Sequence, residues 1–139
     1  MRAVNKMMGT FAGLLIFSSP AFSHHTFAYS YNTSVIVEIK GEVTEVSWNN
    51  PHVSFLIKTS SGEIWQIVSN SANQLARKEI SPDTITVGTI KVAGFPARNG
   101  DSGLYTSHLM LATGREEVLR PGVLPRWTQP QSELARTAQ

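Results

Sequence analysis

Cysteine is absent from the 139 residues. That excludes disulfides, thiol nucleophiles and thiolate metal sites, so hydrophobic burial alone must hold the fold together. Familiar catalytic signatures are missing as well: there is no Gly-x-Ser-x-Gly elbow, no His-Glu-x-x-His pair and no phosphate-binding glycine loop. The adjacent acids Glu116 and Glu117 do not supply a catalytic pair, because neighbours on a strand point to opposite faces. On these grounds the chain reads as a non-enzyme. A surplus of one charge sign is lacking too, although the sequence pI is about 9.2. Two of the 12 basic residues, Arg2 and Lys6, lie in the first few positions, and the remainder balances the 10 acidic ones. A balanced chain has no electrostatic reason to bind nucleic acid.

Nor does any apolar run reach the roughly 20 residues that span a bilayer as a helix. The stretch from Met7 to Phe17 follows Arg2 and Lys6 and ends in Ser18, Ser19 and Pro20. This order of basic, apolar and small or helix-breaking residues predicts a secretory signal peptide over residues 1–23. Ala21 and Ser23 bracket Phe22 in a processing-site pattern that would leave His24 first; cleavage after Ala21, leaving Phe22 first, is the alternative. The expected address is the periplasm or the medium, with no permanent membrane span. The remaining chain is long enough for one modest core.

Alternation then dominates. Val35, Val37 and Ile39 face opposite to Glu38 and Lys40, the period of a half-buried strand. The phase slips after Gly41, since Val43 is odd-numbered while Val46 and Trp48 are even, so a bulge is expected near Thr44 and Glu45. Asn49, Asn50 and Pro51 predict a turn, Val53 to Lys58 a second strand, Thr59 to Gly62 another turn and Glu63 to Val68 a third strand. Ser71 with Gln74 forms a capping-box pattern, and Ala72, Leu75, Ala76 and Ile80 share a helical face. Pro82 is expected to end that helix, and Thr84 to Val87 to open the next strand. A fourth strand through Ile90 and Val92, a loop from Arg98 to Gly103 and a fifth strand from Leu104 to Leu111 complete the series. Five strands with one short helix between the third and fourth predict a mostly β, OB-like Greek-key barrel. The expected layout is therefore an arm over residues 24–34, a barrel over 35–118 and a loose extension over 119–139, where Leu124 and Trp127 are the residues able to dock.

Several segments also resemble a known family. The double His and Phe of His24 to Phe27, the run from Gly41 to Trp48, the turn Asn50-Pro51-His52, Trp65, the trio Ser71, Asn73 and Leu75, Arg77, and Val92 to Gly94 are similar to the domain-of-unknown-function family 6152. The likeness runs from about His24 to Val118, and its most specific parts are the double His and the Trp-x-Asn-Pro-His turn. The resemblance implies export and a small β-barrel domain, with no established activity. One departure stands out: the family pattern carries an acid three positions after the second Trp, where this chain has Val68. Any site built on that acid is lost or altered here.

Three of the four histidines, His24, His25 and His52, belong to these motifs. Neutral imidazole suits copper, nickel and zinc, with copper bound most tightly in that series, so the three residues form a candidate transition-metal site. A free amine on His24 would chelate Cu(II) with its own imidazole, and cleavage before Phe22 would place His24 third and His25 fourth, which also suits square-planar Cu(II). The plainer reading makes His52 a turn histidine bonded to a backbone carbonyl and the other two a solvated terminus. His108 reads as an ordinary strand residue. Phe27, Tyr29 and Tyr31 recur at every second position and, on an extended arm, would share one face that covers the barrel. With Trp48, Asn50 and Trp65 they are the candidate ligand-binding set, since OB-folds bind oligosaccharides and oligonucleotides on one face. Two functions follow as expectations: an exported module that binds copper or another transition metal, or a metal-free module that uses its aromatic residues to bind an envelope protein or a small ligand.

Overall fold

A computed structural model describes residues 23–122 and 124–128, with side chains from Phe27 onward. The order of elements is α1 (Ser23–Ser30), β1 (Val37–Ser47), β2 (Ser54–Thr59), β3 (Ile64–Val68), α2 (Ala72–Ala76), α3 (Pro82–Thr86), β4 (Thr89–Pro96), β5 (Gly103–Met110) and β6 (Glu116–Val118), followed by a 3-10 turn at Arg126–Thr128. Residues 1–22 of the expected signal peptide lie outside those described, and its last residue, Ser23, is the first of α1.

Strands β1 to β3 form an antiparallel meander, β4 pairs with the other edge of β1, and β5 pairs with β4. A parallel pairing of β3 with β5 then closes five strands into a barrel. This closure removes the edges an open sheet would expose. The alternation of apolar residues becomes the interior, with Ile39, Phe55, Ile57, Ile67, Ile90, Val92 and Leu104 all buried. Leu75, Ile80 and Ile85 extend the same cluster. The expected slip in β1 is present as a register shift between Val43 and Glu45.

Two glycines permit close approach of strands. A Cβ at Gly41 would lie 2.2 Å from the carbonyl oxygen of Lys58, and one at Gly94 would lie 2.0 Å from that of Tyr105. Only hydrogen fits at either place.

Two expectations about helices are corrected. The link between β3 and β4 holds two short helices rather than one: the capping box of Ser71 and Gln74 opens α2, and Ser81 with Thr84 forms a second capping box that opens α3. Pro82 begins α3 instead of merely ending α2, because proline at the first helical position has no N–H that needs a partner. Thr84 to Thr86 are accordingly helical, and β4 starts only at Thr89. The second correction concerns the arm, which is a helix over Ser23–Ser30 and not an extended strand. On a helix, Phe27 and Tyr31 fall one turn apart on one stripe while Tyr29 points elsewhere.

A sixth strand, β6, adds to β5 beyond the five-stranded barrel. Its two acids do face apart: Glu117 pairs with Lys78 and Arg115, whereas Glu116 accepts a 2.8 Å bond from Trp127 Nε1. Part of the C-terminal extension is thereby docked. Pro125 is buried, and the Arg126 amide donates to a Glu38 carboxylate oxygen. Among the described residues no helix is long and apolar enough to cross a membrane.

Candidate functional site

One end of the barrel gathers the N-terminal helix, the β1–β2 turn and the middle of β5. The attachment of α1 is specific. Arg98 Nε donates to the carbonyl oxygens of Ala28 and Tyr31 at 2.9 and 3.1 Å, and the Arg98 amide donates to Ser30. The last carbonyls of a helix lack intrahelical partners, so these bonds end α1 and tie it to the loop after β4. A short bridge between Tyr31 and Ala97 continues the tie.

Apolar contacts complete the docking. The Phe27 ring lies 4.7 Å from that of Tyr105, 5.5 Å from Tyr31 and 6.1 Å from Phe95. Arg120 covers the outer side, with its guanidinium carbon 4.1 Å from the Phe27 centroid and 5.5 Å from that of Tyr105. Its Nη1 is buried without a hydrogen-bond partner. A cation stacked on ring faces gains from the ring quadrupole, which accounts for a guanidinium held there. Burial raises the Tyr31 hydroxyl above the usual phenol range, and the Tyr105 phenolate adds to that. Burial raises Tyr105 likewise, with Arg120 pulling in the other direction. Both phenols are therefore neutral donors at ordinary pH.

His52 joins this cluster from the turn. Its ring is 6.0 Å from that of Tyr105 in an edge-on arrangement, and its Nδ1 lies 3.2 Å from the carbonyl oxygen of Ser69. A carbonyl can only accept, so Nδ1 carries the proton and Nε2 carries the lone pair in the neutral ring. The carbonyl bond is what the plainer reading expected. It is also the arrangement that orients metal-binding imidazoles, in which one ring nitrogen is anchored so that the other can ligate. The two readings of His52 thus share one geometry.

The remaining sequence-based candidates are divided. His24 and His25 lie in α1 by backbone, His24 one helical turn before Phe27, and their side chains fall outside those described. Among the described residues no group of three His, Asp or Glu side chains could hold a metal ion. Trp48 and Trp65 pack against the barrel core and take no part in the ring cluster, so the single platform expected from Phe27, Tyr29, Trp48 and Trp65 is not assembled. The period of two in the sequence turns both Trp side chains toward the interior, together with Val46 and Ile67. Asn50 is exposed in the turn, joined to Pro51 by a cis peptide bond. Tyr29 is 84% exposed.

Tyr105 and Arg120 were not anticipated. Tyr105 sits in a strand whose alternation could have marked it as outward-facing; Arg120 belongs to a Pro-rich segment with no periodicity to read. Beside the ring cluster, a partly open cleft of about 900 Å³ lies between α1, β3 and the β4–β5 loop, with Tyr29, Gln66 and Asp101 on its walls.

No curated protein matches the chain. The model of a family of unknown function, DUF6152, matches residues 12–105, and the chain belongs to that family.

Proposed function

We infer that the protein is an exported binding module that takes a transition metal, copper being the best suited, through His52 together with His24 and His25. The observation that carries this reading is the anchored Nδ1 of His52, which leaves Nε2 as the lone-pair nitrogen on an exposed ring. Docking adds support, because Phe27 touches Tyr105 and Tyr105 touches His52, which brings the segment bearing the double His to the same end of the barrel. Nitrogen-only donors suit the borderline metals, and copper leads that series. Export is supported by the basic, apolar and small-residue order of the first 23 positions.

The test is a Cu(II) titration of exported protein whose N-terminal residue has been determined. Stoichiometric binding is expected, weakened by about tenfold or more in His52→Ala, a loss comparable with what disturbing a metal-binding imidazole causes elsewhere. Absence of stoichiometric binding, or binding unchanged in both His52→Ala and His24→Ala, would overturn the reading.

A further inference from the structure

The cleft beside α1 adjoins the ring cluster, sharing Tyr31 with it, but includes no histidine and has a chemistry of its own. Its volume of about 900 Å³ falls within the usual range of small-molecule sites, roughly 300–1,000 Å³. It is positioned by β3 and the β4–β5 loop, the parts of this barrel topology that face ligands in oligosaccharide- and oligonucleotide-binding relatives. Its aromatic wall comes from Tyr29 and Tyr31, and its polar wall from Gln66, Arg98, Asn99 and Asp101.

The polar wall is built rather than incidental. Asn99 Nδ2 donates to Asp101 Oδ2 at 2.5 Å, and the Asp101 amide donates back to Asn99 Oδ1 at 3.2 Å, so the two side chains fix each other. The Gln66 backbone N–H donates to the Ser102 carbonyl oxygen at 2.8 Å, which holds the loop against β3. Arg98 spends its Nε on the carbonyls of Ala28 and Tyr31, which fixes its side chain at the edge of the cleft. One cation and one carboxylate line the cleft, so no net field selects an anion. Planar amide, carboxylate and guanidinium groups hydrogen-bond vicinal hydroxyls, and Tyr29, 84% exposed on the wall, offers a large ring face for a sugar to stack on. Nucleobases would meet the same ring, but a balanced chain gives their phosphates nothing to neutralise.

We propose that this cleft binds a neutral oligosaccharide, with the pyranose face stacked on Tyr29 and its hydroxyls bonded to Gln66, Asn99 and Asp101. The site stands independently of metal binding. Isotope-labelled protein in EDTA is titrated with triacetylchitotriose, cellotriose and maltotriose in turn, and amide shifts are followed. At least one sugar is expected to move resonances confined to residues 28–31, 66–68 and 97–103. Tyr29→Ala should weaken that binding about tenfold, within what ring stacking contributes to comparable ligands, and leave the melting midpoint unchanged. His52→Ala should leave sugar binding as it is, so that the metal and sugar readings fail separately. No shift with any of the three sugars, shifts that map elsewhere, or undiminished binding by Tyr29→Ala would overturn the proposal.

Discussion

Two histidines at different places on the barrel hold the same tautomer by the same device but differ in exposure. His52 gives its Nδ1 proton to the Ser69 carbonyl directly. His108 gives its own to Ser107 Oγ at 2.9 Å, since that hydroxyl already donates to the Ala93 carbonyl at 3.1 Å. In both, Nε2 is left with the lone pair. His52 presents that nitrogen from an exposed ring beside the N-terminal helix, whereas His108 is 0% exposed and its Nε2 is buried without a partner. The same tautomer thus comes with opposite access to solvent. The region around His108 is covered by β6, which pairs with it at Val118 and whose Glu116 holds Trp127, and its polar groups serve the fold. The region around His52 keeps donors and rings at a surface that the helix only partly covers.

The two regions should respond differently to substitution. The largest effect is expected from Phe27→Ala, which removes the ring that meets Tyr105, Tyr31 and Arg120. Phe27 is half-buried, so a loss of about 2 kcal/mol is expected, below the roughly 3–5 kcal/mol of a fully buried Phe. Denaturant unfolding measures it. Copper affinity should fall in the same variant, because the histidine-bearing segment is no longer held against the barrel.

A smaller effect is expected at the sealed region. Trp127→Phe keeps the ring and deletes the 2.8 Å bond to Glu116, which should cost about 1 kcal/mol and leave metal affinity alone. A parallel loss of copper binding would break the separation of the two regions.

The smallest effect is a pH dependence. Burial lowers the His108 pKa below the usual 6.5, with the Glu116 carboxylate opposing in part. The unfolded chain therefore takes up a proton at a higher pH than the folded one. Stability from this group is whole above 6.5 and declines as pH falls from there toward the folded value. Melting midpoints across that window should drop in the parent protein and less so in His108→Asn. Equal drops in both would remove His108 from the account.

Much of the barrel was legible in the sequence because period-two alternation survives into burial: Ile39, Phe55, Ile57 and Ile67 are inside as their spacing requires. The β1 bulge was legible for the same reason, as a break in that spacing. What misled was the N-terminal segment. Phe27, Tyr29 and Tyr31 fit an extended arm by alternation, but a run of eight residues also fits two helical turns, and contacts with β5 and Arg98 favour the helix. Pro82 misled through position, since a proline that stops one helix can equally start the next. The candidate site was half legible. His52 stood out by its turn, whereas Tyr105 and Arg120 reach it through tertiary contacts that no local pattern encodes.

The most direct measurement is ring-nitrogen NMR of the histidines in the metal-free protein and after addition of Zn(II), a diamagnetic ion that imidazole also binds. The account predicts that neutral His52 carries its proton on Nδ1, that its Nε2 resonance moves on Zn(II) addition, and that the His108 pair stays put. A proton on Nε2 of His52, or a Zn(II) response absent from His52, would contradict it.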